Sequence, residues 1–318
     1  MLRRTGQPGN MPDLSILIVS WNTRPFLARC LASIEAELLG RNSFQTETIV
    51  VDNGSSDGTV NMVRTQFPWV QLIEAETNLG FAGGNRVAFE AANGKYVLLL
   101  NPDTEILPGA LTGLVHFMDG YALSGAVGPA LLNLDQTLQI STYPEPTLGR
   151  ELWLLLHLDR ILRLATYPLQ AWRMKGPRTV DVVQGACMLL RGEALKQVGF
   201  LDEGYFMYTE EVDLCLRLRQ AGWKIYWVPT LQVIHHGGQS TSQVSKEMFI
   251  HLYDSKLRYF RKHYGVGGAL VYKSILTLAA MVRMLLLPLA VFQRRERRAR
   301  YLRLAENYAR LLLNLPWM

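Results

Sequence analysis

Tyr96-Val97-Leu98-Leu99-Leu100-Asn101-Pro102-Asp103-Thr104-Glu105 is the stretch from which the fold can be read. Its opening run is apolar, short for a helix and without alternation, which is the pattern of a strand buried on both faces of a parallel sheet. Pro102 breaks the run, because it has no N–H to give to a ladder and biases Asn101 toward an extended conformation. Asp103 and Glu105 are therefore expected to leave the sheet at its carboxyl edge, where open α/β sheets bind ligands. A carboxylate at that edge can meet a metal ion or a polar substrate. On this stretch alone, Asp103 reads equally well as the cap of a turn before a helix beginning near Pro108.

The preceding chain repeats the arrangement. Leu14 to Ser20 reads as a strand followed by Trp21-Asn22-Thr23-Arg24 and by Pro25, which suits the first turn of a helix. Leu27, Cys30, Leu31, Ile34 and Leu38 then recur at the spacing of a helix packed on a sheet. Thr48 to Val51 forms a second strand running into Asp52-Asn53-Gly54-Ser55-Ser56-Asp57-Gly58-Thr59. That loop offers backbone N–H groups and short oxygens to a nucleoside or its phosphates, or is an ordinary turn with Asp57 as a helix cap. Asp52 ends an apolar strand and is exposed at the edge by construction. A third strand, Val70 to Ile73, leads to Asn78-Leu79-Gly80-Phe81-Ala82-Gly83-Gly84-Asn85-Arg86 and a helix. Its glycines permit close approach of a ligand to the backbone, or tight helix packing, but their spacing is not the GxGxxG of a dinucleotide site. Strand, loop and helix units whose loops gather at one edge make a mononucleotide-binding half-sheet of the α/β class.

Taken together, Ser20-Trp21-Asn22, VVDNGSSDGT (Val50 to Thr59), NLGFAGGNR (Asn78 to Arg86) and LLLNPDT (Leu98 to Thr104) resemble the family-2 glycosyltransferases of the GT-A fold, most of all their rhamnosyltransferase-like branch. The resemblance covers roughly Leu14 to Gly238 and rests on the order of several short motifs. It implies a Rossmann-like, mostly parallel central sheet flanked by helices. It places Ser20, Trp21, Asn22 and Asp52, with Asn53 and Gly54 beside it, around the nucleobase and ribose of a nucleoside-diphosphate sugar. Asn78, Gly80, Phe81 and Asn85 would lie nearer the sugar and phosphates. Asp103 matches the metal-binding aspartate of the family's DxD-like element, with Asn101 in place of its first acid.

Farther on, a strand is expected near Gly125 to Leu131, a turn-rich piece around Tyr143-Pro144-Glu145-Pro146, and an amphipathic helix from Leu148 to Leu164 that shapes an acceptor cleft, rests on lipid or packs in the core. Val180 to Leu190 resembles the family's acceptor-side strand, which implies that Gln184 and Gly185 border the acceptor. In Tyr205 to Arg217, Thr209 is a plausible helix N-cap, and Glu210 and Glu211 fall in the first turn, where the helix dipole favours carboxylates. Clustered acids also repel one another and raise at least one pKa, as a general base requires. By resemblance Glu211 stands where the family's base stands, with Glu210 as the fallback, and Asp213 and Arg217 form an i, i+4 pair. Trp223 to Val228 and Leu231 to Ile234 read as two strands around Pro229, followed by His235-His236-Gly237-Gly238. A histidine there is usually only a satisfied polar residue; the family's HxGG spacing selects His235 as a second metal ligand. One imidazole, one carboxylate and phosphate oxygens would make an acceptable Mg or Mn shell. The processive-synthase motif is not evident, so one sugar per encounter is expected.

The chain has 318 residues and a net charge of +6. Residues 283–318 hold eight arginines against two glutamates, which equals that whole charge, so the basic signal belongs to one terminus. Cys30, Cys187 and Cys215 are widely spaced in apolar patterns and read as reduced core residues. The chain divides into a polar tail (1–12) with no signal-peptide h-region, a GT-A catalytic domain (13–265) and a basic amphipathic helical extension (266–318). Within the extension Ala269 to Phe292 is mostly apolar and is followed by Arg294-Arg295-Glu296-Arg297-Arg298. Arg283 near a bilayer centre would cost about 2.5–3.5 kcal/mol, so peripheral attachment to an anionic membrane surface on the cytoplasmic side is expected. Nucleic acid is the less favoured partner, since no nucleic-acid module is recognised. The expected function is inverting, divalent-metal-dependent transfer from a dTDP-rhamnose-like or UDP-sugar donor to a lipid-linked saccharide acceptor in bacterial surface polysaccharide synthesis. The rival readings are a noncatalytic nucleotide-sugar-binding subunit that recruits partners to the membrane, and a sugar nucleotidyltransferase.

Overall fold

The computed structural model describes residues 11–39, 44–173, 175–239, 241–288 and 295–318. Most of the polar tail (1–10) and the junction of the apolar and basic runs (289–294) lie outside the described residues. The first half alternates strictly: β1 (Leu14–Ser20), α1 (Arg24–Leu38), β2 (Thr46–Asp52), α2 (Thr59–Gln66), β3 (Gln71–Glu74), α3 (Gly80–Ala91) and β4 (Tyr96–Leu100). The short β5 (Thr104–Ile106), α4 (Ala110–Gly120), β6 (Ser124–Leu132) and the two-residue β7 (Thr142–Tyr143) follow. Then come α5 (Leu148–Leu155), α6 (Leu169–Trp172), β8 (Arg178–Val180), β9 (Val182–Val183), β10 (Cys187–Arg191), α7 (Gly192–Val198), α8 (Glu210–Gln220) and β11 (Lys224–His235). The helices α9 (Ser245–Leu286) and α10 (Arg295–Asn314) close the chain.

The main sheet has the order β3-β2-β1-β4-β10-β6-β11-β5, with β8 added beside β11. β3, β2, β1, β4, β6 and β11 run one way, and β10, β5 and β8 run against them. Alternate residues of each strand feed opposite cores. Leu14, Ile16 and Ile18 meet α1, α2 and α4 on one face, whereas Leu17, Ile49, Val51 and Leu99 meet α3, α8 and α9 on the other. All five residues of β4 are buried, as a strand covered on both faces must be. The three cysteines are free and buried.

Four readings of local sequence need correction. The segments around Pro229 form one strand, β11, whose pairing with β6 jumps from Val228 opposite Pro129 to Gln232 opposite Ala130. Pro229, having no N–H, sits inside that irregularity instead of ending the strand. The expected helix from Leu148 to Leu164 stops at Leu155, and His157 turns the chain at φ 58°. The expected strand over Val180 to Leu190 is three short pieces, of which only β10 lies between β4 and β6. Thr209 holds the N-cap position of α8 at φ 73° and makes no side-chain cap hydrogen bond.

α9 bends at Gly265, whose φ of 71° and ψ of −174° are not helical. α10 packs back on α9: the Tyr253 and Tyr308 hydroxyls meet at 3.0 Å, Lys246 pairs with Glu306 at 2.8 Å, and the Arg283 guanidinium lies 4.6 Å from the centre of the Tyr308 ring. Beyond the bend, Val266, Leu270, Leu278, Met281 and Leu285 remain exposed.

Candidate active site

Because six strands point one way, their carboxyl ends and the start of β10 meet along a single edge, and the polar residues of successive loops converge there. One cleft is lined by Trp21, Asn53, Asn78, Gly80, Phe81, Asn101, Asp103, Gln184, Gly185, Glu210, Glu211 and His235. The other nominated residues support its walls. The Ser20 hydroxyl meets Thr23 Oγ1 at 2.9 Å, and Asn22 Oδ1 accepts from Ser56 N–H at 2.8 Å. Asp52 Oδ2 accepts from Ser55 N–H at 2.9 Å, which shapes the turn at Gly54, while its buried Oδ1 has no partner. Asn85 Nδ2 donates to Phe81 O at 2.9 Å inside α3.

Asp103 and His235 face each other, Oδ1 to Nε2, at 3.4 Å. Sequence reasoning missed the residue that orients this histidine. Gln139 Nε2 donates to Asn133 Oδ1 at 2.8 Å and to the His235 carbonyl at 2.6 Å, so its Oε1 is left to accept from His235 Nδ1 at 2.9 Å. Nδ1 thus carries a proton, and in the neutral ring Nε2 presents a lone pair toward the Asp103 carboxylate. At 3.4 Å that contact is long for a hydrogen bond, and two lone-pair donors across such a gap suit a divalent cation. The adjacent His236 turns away, with Nε2 2.7 Å from Glu105 and its ring 5.3 Å from that of Phe26. Asn101 Nδ2 lies 3.4 Å from His235 Nε2. Burial works to raise the Asp103 pKa; in the other form of the ring, with a proton on Nε2 as well, the hydrogen bond and charge of His235, with the N–H of Gln239, hold it below the usual carboxylate value. Among the described residues no third His, Cys, Asp or Glu joins Asp103 and His235 in a metal-type cluster.

The acidic pair opens α8, and the loop before it is bound at several points. Phe81 N–H donates to Phe206 O at 2.8 Å and Ser255 Oγ to Met207 O at 2.8 Å, while Tyr208 and Thr209 are held at φ 70° and 73°. Two consecutive non-glycine residues in that region cost of order 1–3 kcal/mol each, and the bonds on either side keep them there. Gly80 is part of this restraint: at its φ of 73° an added Cβ would lie 2.1 Å from Phe206 O. Gly80→Ala is expected to lose more than about 2 kcal/mol of stability in chemical denaturation, from the conformational penalty plus the backbone clash. Gly84 is needed for packing instead, since its Cβ would press on Val19.

Tyr143, also missed, donates its hydroxyl to Glu211 Oε1 at 2.9 Å. Glu211 Oε2 and Glu210 Oε2 are buried without partners. Burial raises both carboxyl pKa values, and the neighbouring Glu211 charge pushes Glu210 up further, whereas the Tyr143 hydroxyl offsets part of the rise for Glu211. The pair therefore holds one proton more readily than two charges, with Glu211 the better placed to be the anion. A carboxyl whose folded pKa lies above its ordinary 4.5 stabilises the fold in acid and loses that contribution as pH climbs toward the raised value. Glu210→Gln is accordingly expected to melt above the wild type at pH 8, with the difference closing toward pH 4.5; thermal melts across that range check it. Asp213, by contrast, is paired to Arg217 at 2.8 Å, Lys262 at 2.8 Å and His263 at 2.7 Å.

Residues 15–199 match the model of the family described as Glycosyl transferase family 2. The chain belongs to that family. It is thus a glycosyltransferase. It is 32% identical over 247 residues to the N-acetylglucosaminyl-diphospho-decaprenol L-rhamnosyltransferase of Mycobacterium tuberculosis, covering 72% of this chain and 78% of that one. A low-salt glycan biosynthesis hexosyltransferase of Haloferax volcanii is 28% identical over 83% of this chain and 78% of its own length. The rhamnosyltransferase WbbL of Escherichia coli is 24% identical over 78% and 92%. The GT-A fold of this family-2 glycosyltransferase is shared with the mannosyltransferase PcManGT of Pyrobaculum calidifontis, solved with GDP-Man and Mn2+. That structure superposes with a TM-score of 0.57 at 16% identity over 98% of this chain and 88% of that one.

Proposed function

We propose that this glycosyltransferase moves a sugar, with inversion, from a nucleoside-diphosphate donor to a hydroxyl of a lipid-linked saccharide in bacterial surface polysaccharide synthesis. The observation that carries the reading is that Glu211, Asp103 and His235 line one cleft, a proton acceptor beside a pair of cation ligands. The rhamnosyltransferase relatives support a rhamnosyl donor, taken here as dTDP-rhamnose-like or another nucleoside-diphosphate sugar such as a UDP-sugar, and the name of the mycobacterial one supports an acceptor on a lipid diphosphate.

Trp21 and the loop from Asp52 to Gly54 bound the nucleoside side of the cleft, and Asn78, Gly80 and Phe81 the sugar side. Asn53 Nδ2 donates to Asn78 Oδ1 at 3.3 Å and to Gly80 O at 2.9 Å, which joins the two. Glu211 Oε2 takes the proton of the acceptor hydroxyl while Tyr143 holds Oε1. The acceptor oxygen then bonds to the anomeric carbon from the face opposite the diphosphate, and the bond from that carbon to the diphosphate oxygen breaks. Gln184 and Gly185 border the incoming hydroxyl; a Cβ on Gly185 would come into van der Waals contact with the Phe81 ring at 3.4 Å and take up space beside Glu211. Asp103 and His235 would hold Mg or Mn. When bound, that ion supplies Lewis-acid stabilisation of the leaving diphosphate.

The catalytic domain takes in residues 13–265 in this reading, and the extension from 266 lies on an anionic membrane surface. The exposed apolar stripe of α9 supports this, as do the arginines of α10. Nucleoside-diphosphate sugars incubated with the protein, with and without Mn, provide the test. Mn-dependent donor hydrolysis with inverted anomeric configuration by NMR is expected; hydrolysis of none of them, or retention of configuration, overturns the reading.

A further inference from the structure

A second cavity adjoins the cleft and shares Gln184, Tyr208 and Glu211 with it, so Glu211 stands at the boundary between two spaces. Its chemistry differs from that of the donor side. Ile140, Pro144, Leu154, Leu252 and Phe260 make much of its wall apolar, and Arg150 and Lys256 add charge. Lys256 is neutralised within the fold, with Nζ 2.9 and 2.8 Å from the two carboxylate oxygens of Glu151. Arg150 is not: its Nη1 donates to the Glu145 carbonyl at 2.7 Å, and among the described residues it forms no ion pair. Glu151 and Glu211 also line the cavity, but Glu151 is held by Lys256 and Glu211 by Tyr143, so the unpaired guanidinium keeps donors for an anion, and its planar fork matches phosphate oxygens.

The exposed end of the lining is greasy: Ile140 is 65% and Leu154 37% exposed. The segment just before the lining residues Ala165 and Thr166, outside the lining itself, adds Ile161 at 84% exposure with Leu162 and Leu164. Trp153 Nε1 donates to the Leu162 carbonyl at 2.9 Å, which ties this segment to α5. Apolar side chains at the exposed end, one cation free of an ion pair inside and a proton acceptor shared with the donor cleft describe one elongated ligand: an alkyl chain, then an anionic group, then a hydroxyl. We infer that this second cavity is the acceptor site, that Arg150 grips the diphosphate of a prenyl-diphosphate-linked sugar, and that Ile140, Leu154 and the 161–164 segment carry the first prenyl units. The inference rests on the glycosyl-transfer reading and adds to it the entry route and the residue that recognises the anion.

A farnesyl diphosphate probe in detergent micelles tests the site without knowledge of the acceptor sugar, with farnesol and inorganic pyrophosphate as the separating arms. Calorimetry on the full chain is expected to give measurable binding of farnesyl diphosphate, at least tenfold weaker binding of either separated half, and at least a tenfold loss for Arg150→Ala. Arg150→Lys, which keeps charge but not the fork, is expected to fall between. Mn-dependent nucleoside-diphosphate binding, measured on each variant, reports whether the fold and donor cleft are intact. Equal affinity in wild type and Arg150→Ala overturns the site, and pyrophosphate binding as tightly as farnesyl diphosphate overturns its lipid half. Neither result touches donor hydrolysis, whose own absence would instead overturn the glycosyl-transfer reading.

Discussion

Replacing Glu211 by glutamine is expected to lower kcat for sugar transfer by about 10²–10⁴, the range that a positioned general base contributes, while donor binding stays within about threefold. The amide keeps the volume and can still accept from Tyr143, so Glu211→Gln tests proton acceptance apart from shape. The pH profile carries the sharper signature. Burial raises the Glu211 pKa, so wild-type kcat rises with pH through that raised value as the carboxyl ionises, and the limb disappears in the glutamine variant. The same logic ranks the two acids. Glu210 is pushed up further, by burial and by the Glu211 charge, and is the member of the pair that holds the shared proton, so Glu210→Gln is expected to retain far more activity than Glu211→Gln. Steady-state rates from pH 5 to 9 on both variants decide it. A Glu211→Gln protein with wild-type kcat and an unaltered acid limb removes that residue from proton transfer.

What the sequence disclosed about this site, and what it withheld, follows from how each group is placed. Asp52 and Asp103 are legible because an apolar strand that ends in a carboxylate must deliver it to the sheet edge, whatever the rest of the fold does. His235 is legible for a related reason, since it ends β11, although the strand itself was misread. The pair formation of β11 with β6 spans Pro229, and nothing local announces that a neighbouring strand will absorb the proline in a bulge. Tyr143 and Gln139 were not legible at all. Tyr143 reaches Glu211 only because β7 pairs with β9, a two-residue ladder between segments about forty positions apart, and Gln139 meets His235 across 96 positions. Such contacts have no period and no neighbouring motif. The left-handed conformations at Tyr208 and Thr209 are hidden too, because neither residue type favours them and distant partners, among them Phe81 and Ser255, hold the turn in place. The resemblance to a family thus marks where chemistry is expected, and the long-range pairings determine which atoms meet.

The second large effect is expected at Asp103. Its Oδ1 faces His235 Nε2 at 3.4 Å, and in the proposed reading these are the two side-chain atoms, among the described residues, that would hold the cation, so removing one halves the protein's share of the ligands. Asp103→Ala is expected to weaken Mn binding in the presence of a nucleoside diphosphate by at least tenfold, as seen by electron paramagnetic resonance. Transfer should fall by about 10³ or more, because stabilising a leaving diphosphate is worth several kcal/mol and each 1.4 kcal/mol is tenfold. Gln139→Ala separates ligand from orientation. It leaves both ligand atoms in place and frees the imidazole to turn or to change tautomer, so Mn affinity is expected to drop by about 10–100-fold, as for loss of a hydrogen-bonded partner behind a ligating histidine. Structural damage alone predicts a different pattern. Asp103 also accepts from Gln239 N–H at 3.4 Å, and through its own carbonyl from His236 N–H at 2.8 Å, so a variant that merely loosened this corner would lose metal-free nucleotide binding as well. Mn affinity lost with metal-free nucleotide affinity kept assigns Asp103 to the ion; parallel loss of both assigns it to the scaffold.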